Sequence, residues 1–247
     1  MMNKLVFLFD IDGVVAETPH EESWRETAIE YGLVEKDFNF KEFYQKSVAG
    51  IPGIKGAEAI LEERGYFRQK NIFDVLEKEK EAIKFRELKQ KILEKHLEQG
   101  NFKVFSDIIN VIIEAKNNKI PVVAVSSSEN SEKILKRSGI YYLFDAHVLG
   151  AIKHRVKNKE ELYVLAFGKL LEKYNYDEIP YAVVFEDADK VIESIKKTGY
   201  KCIGIARAGL ATPESLVLKG ADIAYNEAEL RQKGFYGIME DLKRLNY

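Results

Sequence analysis

Short apolar runs alternate with longer amphipathic segments, and this alternation constrains the fold more than any other feature of the sequence. Five runs have the composition of buried strands, KLVFLFD, IPVVAVS, AHVLG, YAVVFED and KCIGIA, and a sixth run, ADIAYN, is a weaker candidate. They lack the polar alternation of half-exposed strands, which is typical of strands covered on both faces. The segments between them, such as SENSEKILKRSG and ADKVIESIKKTG, are helical in pattern and end at a glycine. The sequence therefore predicts an α/β fold with a parallel sheet between layers of helices.

One long region interrupts this alternation. Between residues 15 and 102 no convincing strand is found, only helical patterns separated by Gly and Pro, including a long charged helix after Phe73. The apolar positions of that helix are predicted to form one packing stripe, which comprises Ile83, Leu88, Ile92 and Leu97. We therefore expect a Rossmann-like core formed by residues 1–14 and 103–247, with an all-helical domain of residues 15–102 inserted after the first strand.

Composition excludes several classes of protein. The 38 basic and 40 acidic residues nearly cancel, so no nucleic-acid or anionic-membrane partner is indicated. Cys202 is the only cysteine, which excludes an intrachain disulfide and a cysteine zinc cluster. The apolar runs are too short to cross a bilayer and the start of the chain has no signal-peptide pattern, so a cytoplasmic protein is expected. Oligomeric state is not readable from these features.

Acids and hydroxyls follow three of the predicted strands. The first strand ends in Asp10-Ile11-Asp12-Gly13, the second in Ser126-Ser127-Ser128 and the fourth in Glu186-Asp187. Ligands of open parallel sheets bind beyond the carboxyl ends of the strands, so these side chains are expected to share one rim. A basic stretch, Lys153-His154-Arg155 followed by Lys157, lies between the second and third groups.

This set of side chains suits phosphoryl transfer. Carboxylates that share a cleft repel each other unless a cation neutralises them, and oxygen ligands favour a hard ion such as Mg2+. Serine hydroxyls and a lysine ammonium are natural donors to phosphoryl oxygens. Each motif alone is as well explained as a turn, a helix cap or a solvated helix start. Their occurrence at three strand ends in this order favours a site for aspartyl-phosphate chemistry.

The same motifs resemble those of the haloacid dehalogenase superfamily, over nearly the whole chain. The helical insertion is similar to the cap of the β-phosphoglucomutase-like subfamily. In that resemblance DIDGVVAET is the first motif. It implies that Asp10 is the nucleophile and that Asp12 is the general acid and base, whose backbone carbonyl also binds the metal.

Two further motifs of the superfamily are recognisable. VVAVSSSEN resembles the second motif and implies phosphate contacts from Ser126, with Ser127 beside it, and from Asn130. VVFEDADKVIESIKKTGY resembles the fourth motif and makes Asp187 the metal ligand, with Glu186 as a ligand or a supporting residue. The resemblance thus implies an Mg2+ site formed by Asp10, Asp12, Glu186 and Asp187.

The third motif, a lysine usually followed by proline, is where the chain departs from the superfamily. The expected position is Lys157, but Asn158 stands where proline is usual. Lys157 is favoured as the catalytic and phosphate-binding lysine because it leads directly into a predicted helix, and Lys153 remains a rival.

Other departures concern the inserted domain. The segment VAGIPGIKG resembles a mutase loop whose arginine holds the distal phosphate of the substrate, but Gly53 occupies that position and only Lys55 is near. His20 matches a histidine of many relatives or is an ordinary surface residue, with the second reading favoured. Trp24 is expected to pack in a helix rather than to stack on a substrate.

The resemblance implies an Mg2+-dependent phosphatase that acts on a small phosphorylated metabolite such as a sugar phosphate. The first alternative is a β-phosphoglucomutase-type phosphosugar mutase, in which a substrate hydroxyl instead of water accepts the phosphoryl group. The alternative from another class is a non-catalytic protein that binds a phosphorylated metabolite.

Overall fold

The computed structural model describes residues 5–48, 51, 53–156, 158–174, 179–207 and 211–245. It divides into two compact units, Met1–Thr18 with Lys103–Tyr247, and Pro19–Phe102. The helical unit thus begins at residue 19, against residue 15 in the sequence analysis. The boundary differs because a short antiparallel ribbon pairs Ala16 with Val104 and Glu17 with Lys103. The residues of this ribbon therefore belong to the first unit.

The first unit is built on a six-stranded parallel sheet. Its strands are β1 (Leu5–Asp10), β4 (Val122–Ser126), β5 (Ala146–Leu149), β6 (Tyr181–Glu186), β7 (Lys201–Ala206) and β8 (Ile223–Asn226). The short ribbon consists of β2 (Ala16–Glu17) and β3 (Lys103–Val104). The strand order is β5-β4-β1-β6-β7-β8, and all neighbours pair in parallel. The predicted fold class is confirmed, and every predicted strand, including ADIAYN, is present.

Helices fill the intervals between the strands. The helices of the second unit are α1 (His20–Glu30), α2 (Phe40–Ser47), α3 (Gly53–Glu63), α4 (Tyr66–Gln69) and α5 (Val75–Glu98). Those of the first unit are α6 (Ser106–Asn117), α7 (Ser131–Arg137), α8 (Ala151–His154), α9 (Lys159–Lys173), α10 (Asp189–Ile195), α11 (Pro213–Lys219) and α12 (Glu227–Arg244). Over the part of the chain that is described, no helix has the length and apolarity that a bilayer crossing needs.

Both faces of the sheet are buried, which explains the unbroken apolar runs. Alternate residues of β1 point to opposite faces. Phe7 and Phe9 join the cluster formed with α6 and α12, whereas Val6 and Leu8 join the cluster formed with α9 and α10. Because β1 lies in the middle of the sheet and is covered on both sides, its last residue is held rigidly in place.

The second unit has its own hydrophobic core. Helix α5 packs against α1 and α3, and Trp24 of α1 stacks on Phe85 of α5 with 5.8 Å between ring centroids. Trp24 is therefore a packing residue, as the sequence analysis expects. The predicted stripe on α5 is wrong, since Ile83 is exposed and Leu97 alone of the four is buried. The face that packs instead comprises Ala82, Phe85, Lys89, Leu93 and Leu97.

Candidate active site

The ends of three neighbouring strands bring the predicted acids and hydroxyls to one edge of the sheet. Asp10 is the last residue of β1, Ser126 of β4 and Glu186 of β6. Strand β1 lies between the other two, with Asp10 opposite Val125 and Phe9 opposite Phe185. Parallel strands in this register deliver all three side chains to the same rim.

Asp10 is a buried carboxylate that is held by an ion pair. Among the described residues neither of its side-chain oxygens has a partner with the full geometry of a hydrogen bond, and the Nζ of Lys159 lies 2.7 Å from Oδ2 as an ion pair. Burial raises the pKa of Asp10 well above its ordinary value, and the positive charge of Lys159 opposes that rise. A carboxylate kept dry and lightly bonded in this way is suited to act as a nucleophile or a metal ligand.

Lys159 connects two of the buried carboxylates. Its Nζ lies 2.9 Å from Oε2 of Glu186 as well as 2.7 Å from Oδ2 of Asp10. Burial lowers the pKa of Lys159, but the negative charges of Asp10 and Glu186 outweigh it and the pKa is raised. Lys159 is therefore a permanent cation. It is also the first residue of α9, where the helix dipole disfavours a positive charge, so the two carboxylates account for its position.

Glu186 is fully engaged by its own surroundings. Its Oε2 accepts a hydrogen bond of 2.7 Å from the hydroxyl of Tyr163, and its Oε1 accepts bonds from the backbone N–H groups of Asp187 and Ala188. Burial raises the pKa of Tyr163 well above its usual value, and the negative charges of Glu186 and Asp10 raise it further. Tyr163 therefore remains a neutral donor. Glu186 thus fixes Lys159 and the start of the loop after β6.

Asp187 completes a group of three carboxylates. One carboxylate oxygen from each of Asp10, Glu186 and Asp187 lies within 4.8 Å of the others. Burial raises the pKa of Asp187 well above normal, and the charges of Glu186 and Asp10 raise it further. When all three are ionised, Lys159 cancels only one of the three negative charges.

The residues of this cluster fit a divalent cation. The cluster offers carboxylate oxygens as ligands, and Lys159 leaves two of its three negative charges uncompensated when all are ionised, which suits a hard divalent ion such as Mg2+. Among the described residues Asp12 is not a member of this cluster of side chains. Its assignment as a metal ligand through the backbone carbonyl remains a prediction.

The loop after β1 is tightly folded around Gly13. The N–H of Gly13 donates to the carbonyl of Ala16, and Asp12 forms an isolated bridge with the same residue. Gly13 has a φ of +87°, and a Cβ at this position would lie 2.0 Å from Oδ2 of Asp187. Only glycine allows this backbone to approach Asp187, so the loop that carries Asp12 depends on it.

The serine segment after β4 is also well ordered. Ser126 is buried, and its Oγ accepts hydrogen bonds from the N–H of Ser128 and from Oγ of Ser131. Ser127 is exposed, whereas Asn130 is buried and precedes α7. These three residues lie in the strand-end segment beside β1, and their phosphate contacts remain predictions.

Two lysines near the third motif, Lys153 and Lys159, differ clearly in their surroundings. Lys157 lies outside the described residues. The side chain of Lys153 is 61% exposed and its Nζ is 3.8 Å from Glu132, whereas the side chain of Lys159 is 16% exposed and contacts Asp10. Lys159 is not among the site residues predicted from the sequence. The sequence pattern that could have identified it is the apolar face of α9, which contains Tyr163 and Phe167. Residue 159 lies on the same face, one helical turn before Tyr163.

The structure also places the three residues of the helical unit that the sequence comparison with the superfamily singled out. His20 is half-buried, and its Nδ1 lies 2.8 Å from Nζ of Lys89, so it is not an ordinary surface residue. Gly53 is the first residue of α3, and a Cβ there would lie 3.1 Å from Nε of Arg86. Lys55 is paired with Glu58 at 2.6 Å.

Comparisons with known proteins identify a family and several solved structures to which the chain is similar. The model of the haloacid dehalogenase-like hydrolase family matches residues 5–199. A crystal structure of an archaeal β-phosphoglucomutase from Pyrococcus sp. strain ST 04 is 27% identical, with a TM-score of 0.79 over 97% of this chain and 99% of that one. The β-phosphoglucomutase of Clostridium difficile is 22% identical, with a TM-score of 0.72 over 98% of each chain. CbbY of Rhodobacter sphaeroides in complex with xylulose-(1,5)bisphosphate is 21% identical, with a TM-score of 0.66 over 94% of this chain and 96% of that one.

Proposed function

Because the chain belongs to the haloacid dehalogenase-like hydrolases, we propose that it is an Mg2+-dependent phosphatase. Its substrate is a small phosphorylated metabolite of the sugar phosphate class, and the reaction proceeds through an aspartyl-phosphate. The observation that carries this proposal is the setting of Asp10, a buried carboxylate 2.7 Å from a buried ammonium and grouped with the carboxylates of Glu186 and Asp187. A binding protein has no need of such a group.

In the first half of the reaction Asp10 attacks phosphorus. A carboxylate oxygen of Asp10 forms the new P–O bond while the bond from phosphorus to the ester oxygen breaks, and Asp12 donates a proton to that departing oxygen. Lys159 holds Asp10 in place and offers positive charge to the phosphoryl oxygens. Ser126 and Asn130, at the adjacent strand end, donate hydrogen bonds to the same phosphoryl group.

In the second half water releases the phosphate. Asp12, now ionised, takes a proton from a water molecule, which attacks phosphorus and restores the carboxylate of Asp10. Asp10 and Asp187 would hold the Mg2+, while Glu186 orients Lys159. The bound ion supplies positive charge that stabilises the transferring phosphoryl group.

A phosphosugar mutase is the second candidate. It is supported by the similarity to solved β-phosphoglucomutases over almost the full chain. The sugar bisphosphate held by CbbY is consistent with the same class of substrate. In a mutase a hydroxyl of the substrate replaces water as the acceptor of the phosphoryl group.

A phosphate-release screen tests the proposal. Sugar phosphates, nucleotides and small phosphoacids are incubated with Mg2+ or with EDTA. Release is expected for a subset of the esters with Mg2+ only, and Asp10→Asn is expected to abolish release while retaining the wild-type circular dichroism spectrum. Isomerisation of β-glucose 1-phosphate that needs a bisphosphate activator would identify a mutase. No release from any ester, with ligand affinity unchanged in Asp10→Asn, would identify a binding protein.

A further inference from the structure

The serine segment after β4 carries an acidic residue that the proposed reaction does not use. Glu129 lies between Ser128 and Asn130 in this segment, and its side chain is exposed. No ion pair links Glu129 to a lysine or arginine that the structure describes. The nearby Lys153 is instead 3.8 Å from Glu132. Glu129 therefore presents to solvent a negative charge that no described lysine or arginine pairs, although this charge also acts on His154.

The carboxylate of Glu129 is held in one position. Its Oε1 accepts a hydrogen bond of 3.1 Å from the N–H of Ile152, in the first turn of α8. It also lies against Gly150, where a Cβ would come within 2.3 Å of Oε2 of Glu129. The glycine at position 150 thus makes room for this carboxylate, and the helix start fixes its direction.

The segment that carries Glu129 is fixed next to the reacting strand end. The N–H of Gly150 donates to the carbonyl of Ser126 at 2.9 Å, and the N–H of Ala151 donates to that of Ser127 at 3.1 Å. Ser126 directly follows Val125, the partner of Asp10 across the sheet. A phosphoryl group bound by Ser126 and Asn130 would consequently have Glu129 at the rim of its pocket.

A fixed negative charge at this rim acts on the remainder of the substrate. It repels a second phosphate or carboxylate through a Coulomb interaction that weakens with distance and with added salt. A hydroxyl group is favoured, because Oε2 of Glu129 remains available as an acceptor while Oε1 is bonded to Ile152. Resting on the proposed function, we infer that Glu129 is a specificity-determining residue. It selects phosphate monoesters of neutral, hydroxyl-rich compounds and disfavours those with a second anionic group.

The test compares a hexose monophosphate with the hexose bisphosphate that shares its reacting phosphate. Glu129→Gln preserves the acceptor for the N–H of Ile152 and removes only the charge. The control is Glu132→Gln, which makes the same change three residues later, where Lys136 already neutralises the carboxylate at 2.7 Å. We expect the preference for the monophosphate, measured as the ratio of kcat/KM values, to fall by about tenfold in Glu129→Gln and to stay unchanged in Glu132→Gln.

Two outcomes would overturn the inference: an unchanged ratio in Glu129→Gln, or an equal change in both variants. The wild-type ratio is also expected to fall as salt is added, because screening weakens the repulsion. If the wild-type protein releases phosphate from neither ester, the proposed function fails. The same ratio is then measured from dissociation constants by calorimetry, so the role of Glu129 is confirmed or rejected independently of turnover.

Discussion

The Nζ of Lys159 lies 2.7 Å from Oδ2 of Asp10, where the first residue of α9 meets the last residue of β1. Glu186 binds the same ammonium at 2.9 Å. One buried cation thus sets the position of the proposed nucleophile and joins it to the acid that ends β6.

Removal of Lys159 is expected to impair both stability and turnover. Lys159→Ala leaves two buried carboxylates without their cation, which costs about 3–5 kcal/mol of unfolding free energy, and turnover should fall by about two orders of magnitude. Urea denaturation and phosphate release measure the two effects. The exposed Lys153→Ala is the control and should change stability by less than about 0.5 kcal/mol. Full turnover in Lys159→Ala, together with its loss in Lys157→Ala, would return the role to Lys157.

Replacement of Asp187 is expected to remove its contribution to the dependence of stability on pH and on Mg2+. Burial raises the pKa of Asp187, so the folded state binds its proton more tightly than the unfolded chain. This contribution to stability is complete below the unfolded pKa of about 3.9 and is lost as pH rises through the raised folded value. In EDTA at pH 7, Asp187→Asn should therefore have a higher Tm than the wild type, with the gap closing toward pH 4.

Mg2+ provides the complementary measurement on the same pair of proteins. It should raise the Tm of the wild type, since a ligand that binds only the folded state stabilises it. Asp187→Asn should show little of this increase. An equal Mg2+-induced shift in both proteins would remove Asp187 from the metal site.

The contact between Gly13 and Asp187 is expected to be critical for activity. In Gly13→Ala the new methyl group would collide with the Asp187 carboxylate, which must move, so turnover and Mg2+ affinity should both fall. Gly32→Ala is the matched control, because Gly32 also has a positive φ, of +68°, but has no atom within 4 Å of its Cβ position. Each substitution carries a backbone cost of about 1–2 kcal/mol. Measuring turnover as a function of Mg2+ concentration distinguishes the backbone cost from the loss of Mg2+ affinity. Equal losses of turnover and Mg2+ affinity in the two variants would contradict this interpretation.

A second buried ion pair is expected to contribute to stability. Arg207 binds both oxygens of Asp107, at 2.6 and 2.8 Å, and also donates to the carbonyl of Val14 at 3.3 Å. Burial raises the pKa of Asp107, but the hydrogen bonds and charge of Arg207 outweigh it and the pKa is lowered. The stabilisation is therefore present above the unfolded pKa and is lost as pH falls through the folded value.

Asp107→Asn tests this pair by urea denaturation at several pH values. It should lose about 3 kcal/mol at pH 7, and the deficit should shrink in acid. Glu193→Gln, which removes the exposed partner of Lys219, is the control and should leave stability almost unchanged. A deficit for Asp107→Asn that does not depend on pH would show that charge is not the cause.

The strands and the acidic strand ends were predictable because their physical causes are local. A strand buried on both faces needs a continuous apolar run, and Asp10, Ser126 and Glu186 directly follow such runs. The part played by Lys159 was not predictable in the same way. The sequence alone does not distinguish Lys159 from the neighbouring lysines, and only the packing of α9 against the sheet places its ammonium beside Asp10.

The prediction of which face of α5 is buried was wrong for a related reason. In a helix rich in Lys and Glu, several apolar spacings are equally plausible, and the neighbouring helices decide which one is buried. The face of α5 that is buried contains the charged Lys89, whose Nζ lies 5.2 Å from the ring centroid of Trp24. No rule based on apolar periodicity would place a lysine there.

The central claim is that Asp10 carries the phosphoryl group, and borohydride reduction during turnover tests it most directly. The reagent converts an aspartyl-phosphate to homoserine, which peptide mass spectrometry locates. Wild-type protein that is turning over its best ester with Mg2+ should contain homoserine at position 10, and protein without substrate should not. Continued turnover with the modification at another position, or with none at all, would contradict the account.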